Sequence, residues 1–378
     1  MHKPLKIFVD GHCLETEFQG AQTFVQNLYT NLLQDYPDID VYFGACDCEK
    51  LAQLFPSISS SKFLSYKKRS SSLLRFVIDI PSILKRHRFD FAHFQYLSPP
   101  KNNNCKYIVT LHDILYHDFP QYFSLPYRVK RNFIFQRSIK EAAIKTTVSA
   151  YSRDRIHYHF NIPKDQVHIL PNGVSNDFSN PGTKEEARAL ISKKYGISNF
   201  ILYVSRVEPR KNHDFLLNEF LAMKLYRQNI SLVFIGKRSI NVVQLDKTIK
   251  RLTSGQKKYF FQFEQVNPID LEAFYKACRL FVYPSMAEGF GIPPLEAAAC
   301  NAPVLCSNAT AMHDFNFFAP YIFDPENKKE FHEKIRAMID SPPTEDHLKK
   351  IAAEVRARYA WQKSSDQFYA LLQSNSTP

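Results

Sequence analysis

Two carboxylates, Glu288 and Glu296, bracket the run Glu288-Gly289-Phe290-Gly291-Ile292-Pro293-Pro294-Leu295-Glu296. The chain has only 10 glycines in 378 residues, where ordinary usage of roughly 7% would give about 26. Two glycines one residue apart are therefore not background. Such a loop lets backbone approach a ligand closely, and the unpaired N–H groups of a following helix start attract an anion. Pro293 and Pro294 suit that helix opening, because proline has no N–H to leave unpaired and its φ is already helical. A second cluster, Ser205-Arg206-Val207-Glu208-Pro209-Arg210-Lys211-Asn212, sets Arg206 and Lys211 five positions apart. Paired cations are what a departing diphosphate requires as its charge grows. Taken singly, Glu296 is a residue complementing a helix dipole and the Arg-Lys cluster is a solvated turn. The combination points to an anionic ligand that also carries hydroxyls.

These residues need elements to position them. Leu280 to Tyr283 reads as a strand ahead of the glycine run, with a helix over Leu295 to Cys300, and Phe200 to Val204 reads as the strand that delivers Arg206. Leu232 to Ile235, ending at Gly236, Pro303 to Cys306 and Tyr321 to Phe323 are further strands, with helices over Leu216 to Met223 and Leu271 to Cys278. The first half shows the same alternation. Lys6 to Val9, Asp40 to Phe43, Phe89 to Phe94, Tyr107 to Leu111, Thr146 to Ser149 and Val167 to Leu170 are its strands, and a helix runs through Phe24, Leu28 and Leu32. Alternation at this spacing predicts α/β architecture with two parallel, doubly wound sheets, and a ligand cleft at the carboxyl ends of the strands. The expected domains are 1–180 and 181–360, separated at Asn180-Pro181-Gly182, with the end of the helical tail, 361–378, packing back on the first. That tail, Glu330 to Leu372, is expected to be broken at Pro342-Pro343.

Composition narrows the class. A length of 378 residues favours two domains, and 44% hydrophobic residues supply core material for both. Seven scattered cysteines fit a reduced, cytoplasmic setting better than a disulfide scaffold. Cys46-x-Cys48 lacks a second pair at zinc-site spacing, Asp38-x-Asp40 precedes the sheet and reads as surface, and no resident metal is expected. No apolar run approaches the ~18 residues of a membrane span, and no signal peptide is expected. The net charge of +12 is densest over Lys62 to Arg88, where Lys62, Lys67, Lys68, Arg69, Arg75, Lys85, Arg86 and Arg88 oppose Asp79 alone. Leu73, Leu74, Phe76, Val77 and Ile80 interleave with them, so the segment suits either an anionic membrane surface, as a peripheral contact, or a solvated helix face. Nothing in the sequence accompanies the charge with a nucleic-acid signature, and no nucleic-acid partner is expected.

The spacing from Arg206 and Lys211 to the glutamate run resembles the retaining glycosyltransferases of family 4, which have the GT-B fold of two facing Rossmann-like domains with an interdomain cleft. The resemblance extends over most of the chain, through Gly20, His93, Thr110-Leu111-His112-Asp113, Val148-Ser149, Leu170-Pro171-Asn172-Gly173-Val174 and Phe323-Asp324-Pro325. It implies transfer of a hexose from a nucleotide sugar, with GDP-mannose the leaning for donor, to a glycan or lipid-linked glycan acceptor, as in surface polysaccharide assembly. By the same resemblance Arg206 and Lys211 would hold the diphosphate, Glu288 the sugar near its reacting carbon, and Glu296 the ribose hydroxyls. Gly289, Phe290, Gly291 and Ile292 would offer backbone to the donor, Gly20 would lie near the phosphates, and Gly236, Lys237 and Val266 near the base. His112 would face the sugar, the first domain would take the acceptor, and no metal or cofactor is implied. The sequence departs from the pattern at Ala287, where an aromatic residue is frequent, and at Asn301, where glycine is. A phosphorylase or epimerase on the same fold, or a non-catalytic relative, remains open at this stage.

Overall fold

A computed structural model describes residues 4–15, 20–67, 72–101, 105–174 and 182–376. The chain divides into two units, Met1–Gly173 with Ala360–Pro378, and Val174–Tyr359. The contact boundary thus falls near Gly173, a few residues before the expected linker, and Asn180-Pro181 lies outside the described residues.

Unit 1 is built on seven strands: β1 (Leu5–Asp10), β2 (Ile39–Ala45), β3 (Phe63–Ser65), β4 (Phe91–Gln95), β5 (Lys106–Leu111), β6 (Ile144–Thr147) and β7 (Val167–Ile169). Their order is β3-β2-β1-β4-β5-β6-β7, and every pairing is parallel. Phe8, Ala92, Phe94, Val109 and Leu111 sit in a core closed by Ile80, Leu84, Phe135 and Ile139 from the helices. Strands buried on both faces explain why they read as near-continuous apolar runs rather than as alternating ones. The last helix, Trp361–Ser376, belongs to this unit. Phe368 packs on Tyr29 and His93, while Tyr369 stacks on Tyr36 at 3.8 Å and donates to Asp38 at 2.8 Å.

Unit 2 carries β8 (Phe200–Val204), β9 (Ser231–Ile235), β10 (Phe260–Phe263), β11 (Leu280–Tyr283), β12 (Val304–Ser307) and β13 (Ile322–Phe323). The order is β10-β9-β8-β11-β12-β13, again parallel throughout. Chain order reverses between β8 and β11, as it does between β1 and β4 in unit 1. In open parallel sheets that reversal opens a crevice beyond the carboxyl ends of the strands, the usual place for a ligand.

The strands missing from the sequence reading are β3 and β10, both at sheet edges. Each is short, and Phe260-Phe261-Gln262-Phe263 shows no period that separates a strand from an apolar turn. The tail is three helices, Lys328–Asp340, Glu345–Arg358 and Trp361–Ser376. Pro342-Pro343 marks the first break as expected, whereas no glycine or proline announces the second, at Tyr359-Ala360.

The basic segment is less uniform than its composition suggests. Lys62 pairs with Asp40 at 2.6 Å. Arg75 is buried, 3.7 Å from Asp10, in a π-type turn over Arg75–Asp79 within a helical stretch that ends at His87. It is therefore a structural cation and not part of an exposed face. Lys68 and Arg69 lie outside the described residues.

Candidate functional site

The turns after the carboxyl ends of β8 and β11, neighbours at the unit 2 reversal, carry Arg206, Lys211 and Glu288. Pro209 fixes the start of a 3-10 turn over Pro209–Lys211, and Asn212 at φ +61° turns the chain into the helix His213–Ala222. Tyr203 on β8 donates to the Lys211 carbonyl at 2.6 Å, pinning the turn to its strand. From there Lys211 Nζ reaches Glu288 Oε1 at 2.5 Å, and Arg210 Nη1 reaches Glu288 Oε2 at 3.2 Å. Tyr283, at the end of β11, donates to Glu288 Oε1 at 2.8 Å. Glu288 and Lys211 are both buried.

Burial alone would raise the Glu288 carboxyl. The charges of Lys211 and Arg210 outweigh it and hold the group at about 2, so it is ionised at any physiological pH. Burial and then the Arg210 charge pull Lys211 below the ordinary lysine range, with Glu288 opposing both. An acid or base for proton transfer needs a pKa near the working pH. Glu288 is instead a fixed negative charge.

Arg206 joins the cluster through Glu208. It pairs with Glu208 Oε1 at 2.8 Å, Arg210 pairs with Glu208 Oε2 at 3.1 Å, and the Arg206 side chain keeps 39% of its surface exposed. Arg210 also donates to the Ala287 carbonyl at 2.6 Å, so the residue at the departure site is buried as backbone support for a cation. Thr310 completes the frame. Its hydroxyl accepts from Glu288 N–H at 2.8 Å and donates to the Glu288 carbonyl at 2.9 Å. A β-branched residue at φ +54° is strained, and such strain persists where surrounding structure enforces it.

Two of the glycines meet steric demands of the chain itself. Gly291 precedes the helix Ile292–Ala299 at φ +104°, where a side chain would press on Met312 and Phe315. At Gly236, a Cβ would stand 2.0 Å from the Ser205 carbonyl, which holds the turns after β8 and β9 in direct contact. Phe290 is buried, its ring edge-on to Tyr359 and Phe315. Asn301 adopts φ +56°, the left-handed conformation that a glycine after the helix would supply, which removes the apparent departure there.

Glu296 has a partner of its own. It lies on the helix Ile292–Ala299, and its Oε2 accepts from Tyr275 at 2.8 Å. Burial raises this carboxyl to about 7 even against that hydrogen bond. Lys237 is exposed and Val266 half-buried in the turns after β9 and β10, on the same edge of the sheet.

In unit 1 Gly20 begins the helix Gly20–Asp35 with open space around it. His112 follows β5 directly and is buried. Its Nε2 meets Gln95 Oε1 at 2.8 Å, and its ring sits edge-on to Phe24. Gln95 Nε2 meets His93 Nε2 at 3.1 Å, and His93 Nδ1 meets the Tyr29 hydroxyl at 2.8 Å. With the Gln95 amide so placed, His112 carries its proton on Nε2 and His93 on Nδ1. Burial depresses both imidazoles to about 3, so both are neutral. Arg210, Glu208, Thr310, Tyr283, Tyr275 and Gln95 were not foreseen as site residues. Only Arg210 and Glu208 carried a signal, their place in the Arg206 to Lys211 run.

Two doubly wound units in one chain, one of them with an ionised cation-carboxylate cluster at its reversal, are the plan of the GT-B glycosyltransferases. Comparison with known proteins agrees. Residues 186–355 match the family profile described as glycosyl transferases group 1, and residues 18–178 match glycosyltransferase family 4. An O-antigen chain mannosyltransferase B of Escherichia coli is 30% identical over 268 residues, 69% of this chain and 68% of that protein. An O-antigen chain mannosyltransferase of Salmonella typhimurium is 27% identical over 62% of this chain and 61% of its own length. A crystal structure of a glycosyltransferase from Rickettsia africae covers 99% of both chains with a TM-score of 0.74 at 17% identity, and shows the same fold. The chain belongs to the family 4 glycosyltransferases and is a transferase.

Proposed function

We propose that the protein transfers mannose from GDP-mannose, with retention at the anomeric carbon, to a glycan carried on a lipid. The observation that carries this reading is the Lys211-Glu288-Arg210 cluster at the β8/β11 reversal. Three cations, Arg206, Arg210 and Lys211, face two carboxylates, Glu208 and Glu288, leaving one net positive charge for a diphosphate. Arg206, held by Glu208 and partly exposed, is free to turn onto the phosphates. Unit 2 thus takes the donor, with Glu296 on the ribose hydroxyls and Gly236, Lys237 and Val266 toward the base. Unit 1 takes the acceptor, and the neutral imidazole of His112 suits a sugar hydroxyl.

In the proposed reaction the bond from the anomeric carbon to the diphosphate oxygen breaks as the acceptor oxygen bonds that carbon from the same face. The acceptor's proton passes to the departing phosphate oxygen, whose growing charge Lys211 and Arg206 stabilise. Glu288, already committed to two cations, supports developing positive charge on the sugar and forms no covalent intermediate. The cations supply the charge that a metal would otherwise provide, so no metal is assigned. The names of the relatives, both mannosyltransferases of O-antigen chains, support the choice of sugar.

A thermal-shift panel of GDP-, UDP- and ADP-sugars tests the donor, because a ligand that binds only the folded state raises Tm. GDP-mannose should give the largest shift. A larger shift with UDP- or ADP-sugars would replace it, and an inverted product by NMR would overturn retention.

A further inference from the structure

Cys46-x-Cys48 lacks a second cysteine pair along the chain, but the fold brings Cys46 other donors. Among the described residues, one group of three holds its donor atoms within 4.8 Å of one another: His12, Glu15 and Cys46. His12 and Glu15 stand three positions apart on the one-turn helix His12–Glu15 after β1, with His12 Nδ1 2.9 Å from Glu15 Oε2. Cys46 follows β2 directly. Two glycines let these turns meet. Gly11 donates to the Gly44 carbonyl at 2.9 Å, and a Cβ on Gly11 would stand 2.8 Å from the Leu51 side chain and 3.0 Å from that carbonyl. A Cβ on Gly44 would stand 2.4 Å from the Tyr66 hydroxyl. The carboxylate is held from behind. Glu15 Oε1 accepts from Asp47 N–H at 2.5 Å, which leaves Oε2 to face His12. Lys50 Nζ donates to the Glu15 carbonyl at 2.8 Å, and Asp47 Oδ1 accepts from Lys50 N–H at 3.0 Å, tying the helix to the segment after Cys46.

We propose that His12, Glu15 and Cys46 bind a zinc ion. One imidazole, one carboxylate and one thiolate form a donor set that Zn²⁺ accepts, whereas calcium and magnesium take oxygen and leave the sulfur unused. With zinc–ligand bonds of about 2.0–2.3 Å, a tetrahedral ion holds its ligands about 3.3–3.5 Å apart. The His12–Glu15 pair opens by about half an ångström to reach that spacing, and the widest pair closes by about 1 Å. Three protein ligands leave the fourth position to water, which can enter because the His12 side chain is 43% exposed. Binding replaces the His12–Glu15 hydrogen bond. The thiol gives its proton to solvent, and the imidazole keeps its own on Nε2. A ligating carboxylate is usually hydrogen-bonded in turn, and Asp47 N–H already supplies that bond to Glu15. The ion would clasp the turn after β1 to the turn after β2 at the carboxyl edge of the unit 1 sheet. No step of sugar transfer runs through it, so the site holds whether or not the donor reading does.

The test is metal binding by the full chain after chelator treatment and removal of the chelator. Zn²⁺ titrated in competition with a chromophoric chelator should bind one equivalent with a Kd of about 1 µM or below. Co²⁺ in its place should give a thiolate-to-cobalt charge-transfer band and the visible spectrum of a four-coordinate ion. His12→Ala, Glu15→Gln and Cys46→Ser should each weaken zinc at least about 100-fold, since losing even the hydrogen-bond partner of a ligand costs about 10–100-fold. Cys46→Ser should also abolish the cobalt band, and Cys48→Ser should keep it. Zinc should raise the Tm of the wild type and not that of His12→Ala. A chain that binds no zinc, or His12→Ala and Glu15→Gln variants that bind it like wild type, overturns the proposal. So does a cobalt band that survives Cys46→Ser, or one that Cys48→Ser abolishes while His12→Ala leaves it, which would assign the ion to the Cys46-x-Cys48 pair alone. Should Cys46→Ser not fold, as circular dichroism would report, the loss of zinc in His12→Ala is read alone, because that side chain is partly exposed. The assay holds no sugar nucleotide, so its failure leaves the donor reading untouched, and a failed donor panel leaves zinc binding intact.

Discussion

The two units share one topology, yet the points where their strand order reverses are electrostatically opposite. At β8/β11 an ionised carboxylate lies buried between Lys211 and Arg210, with Arg206 and Glu208 beside them. Along β4 and just beyond β5, buried His93 and His112 are neutral and joined through Gln95. The Asp10-Arg75 pair at the end of β1 is buried, and Tyr66 donates to Asp10 at 2.8 Å. The same backbone plan thus presents fixed charge in unit 2 and neutral hydrogen-bonding groups in unit 1. Fixed charge suits a diphosphate, and neutral imidazole suits hydroxyls, because hydroxyls gain little from a charge that is costly to bury. The fold is common to both units, and the side chains at the strand ends make the difference.

The most severe way to break this contrast is Lys211→Ala. It removes a preorganised donor and leaves Glu288 buried with one cation fewer. Transfer should fall by about 10³-fold, and the protein should lose roughly 3–5 kcal/mol of stability. Steady-state kinetics and denaturant unfolding measure the two, and undiminished transfer would sink the assignment of charge to unit 2. Arg210→Ala should cost about 10²-fold in transfer, since Arg206 and Lys211 remain. A smaller effect than that of an exposed lysine away from the site, such as Lys329→Ala, would remove Arg210 from the cluster.

Thr310→Val sharpens the picture without touching charge. It keeps the branched shape but loses both hydrogen bonds to the Glu288 backbone, at about 1–3 kcal/mol. About tenfold in kcat should follow if that backbone positions the carboxylate. Unit 1 offers the contrary test. Gln95→Leu should lower kcat by a few-fold through misplacing His112, and its pH profile should show no imidazole titration from pH 5 to 8, because His112 is depressed to about 3. A titration near the ordinary histidine value that Gln95→Leu displaces would show that unit 1 carries charge after all.

The smallest effect separates the two glutamates. Glu288 has a folded pKa of about 2 against an ordinary 4.5. The unfolded chain binds more protons in that window, so this stability is present above pH 4.5 and lost as pH falls toward 2. Glu296 runs the other way. Its folded pKa of about 7 exceeds 4.5, the folded state binds the extra proton, and stability declines as pH rises from 4.5 to 7. Glu296→Gln should flatten Tm between pH 4.5 and 7 and leave the acid limb in place. If it leaves the neutral limb unchanged, Glu296 does not titrate there.

Much of the fold was legible because strands buried on both faces are long apolar runs, and glycine and proline punctuate the turns between them. Phe200 to Val204 and Leu280 to Tyr283 could be placed residue by residue. The edge strands β3 and β10 could not, since a short strand with one neighbour carries too little pattern. Lys62 to Arg88 misled in part, because composition counts a cation without showing where it points. Arg75 is buried beside Asp10.

The sequence by itself determined that two parallel α/β units exist and that Arg206, Lys211, Glu288 and Glu296 fall in the turns and the helix that follow two strand ends. Those are local facts, set by periodicity, turn chemistry and spacing along the chain. Only the tertiary structure decided how each group behaves. It set Lys211 and Arg210 against Glu288, placed Glu296 under Tyr275, and linked His112 to His93 through Gln95. Ionisation depends on burial and on charges a few ångströms away, and those neighbours come from elements distant in the chain. Two glutamates eight positions apart, alike in sequence, thereby became one fixed anion and one carboxyl poised near neutrality.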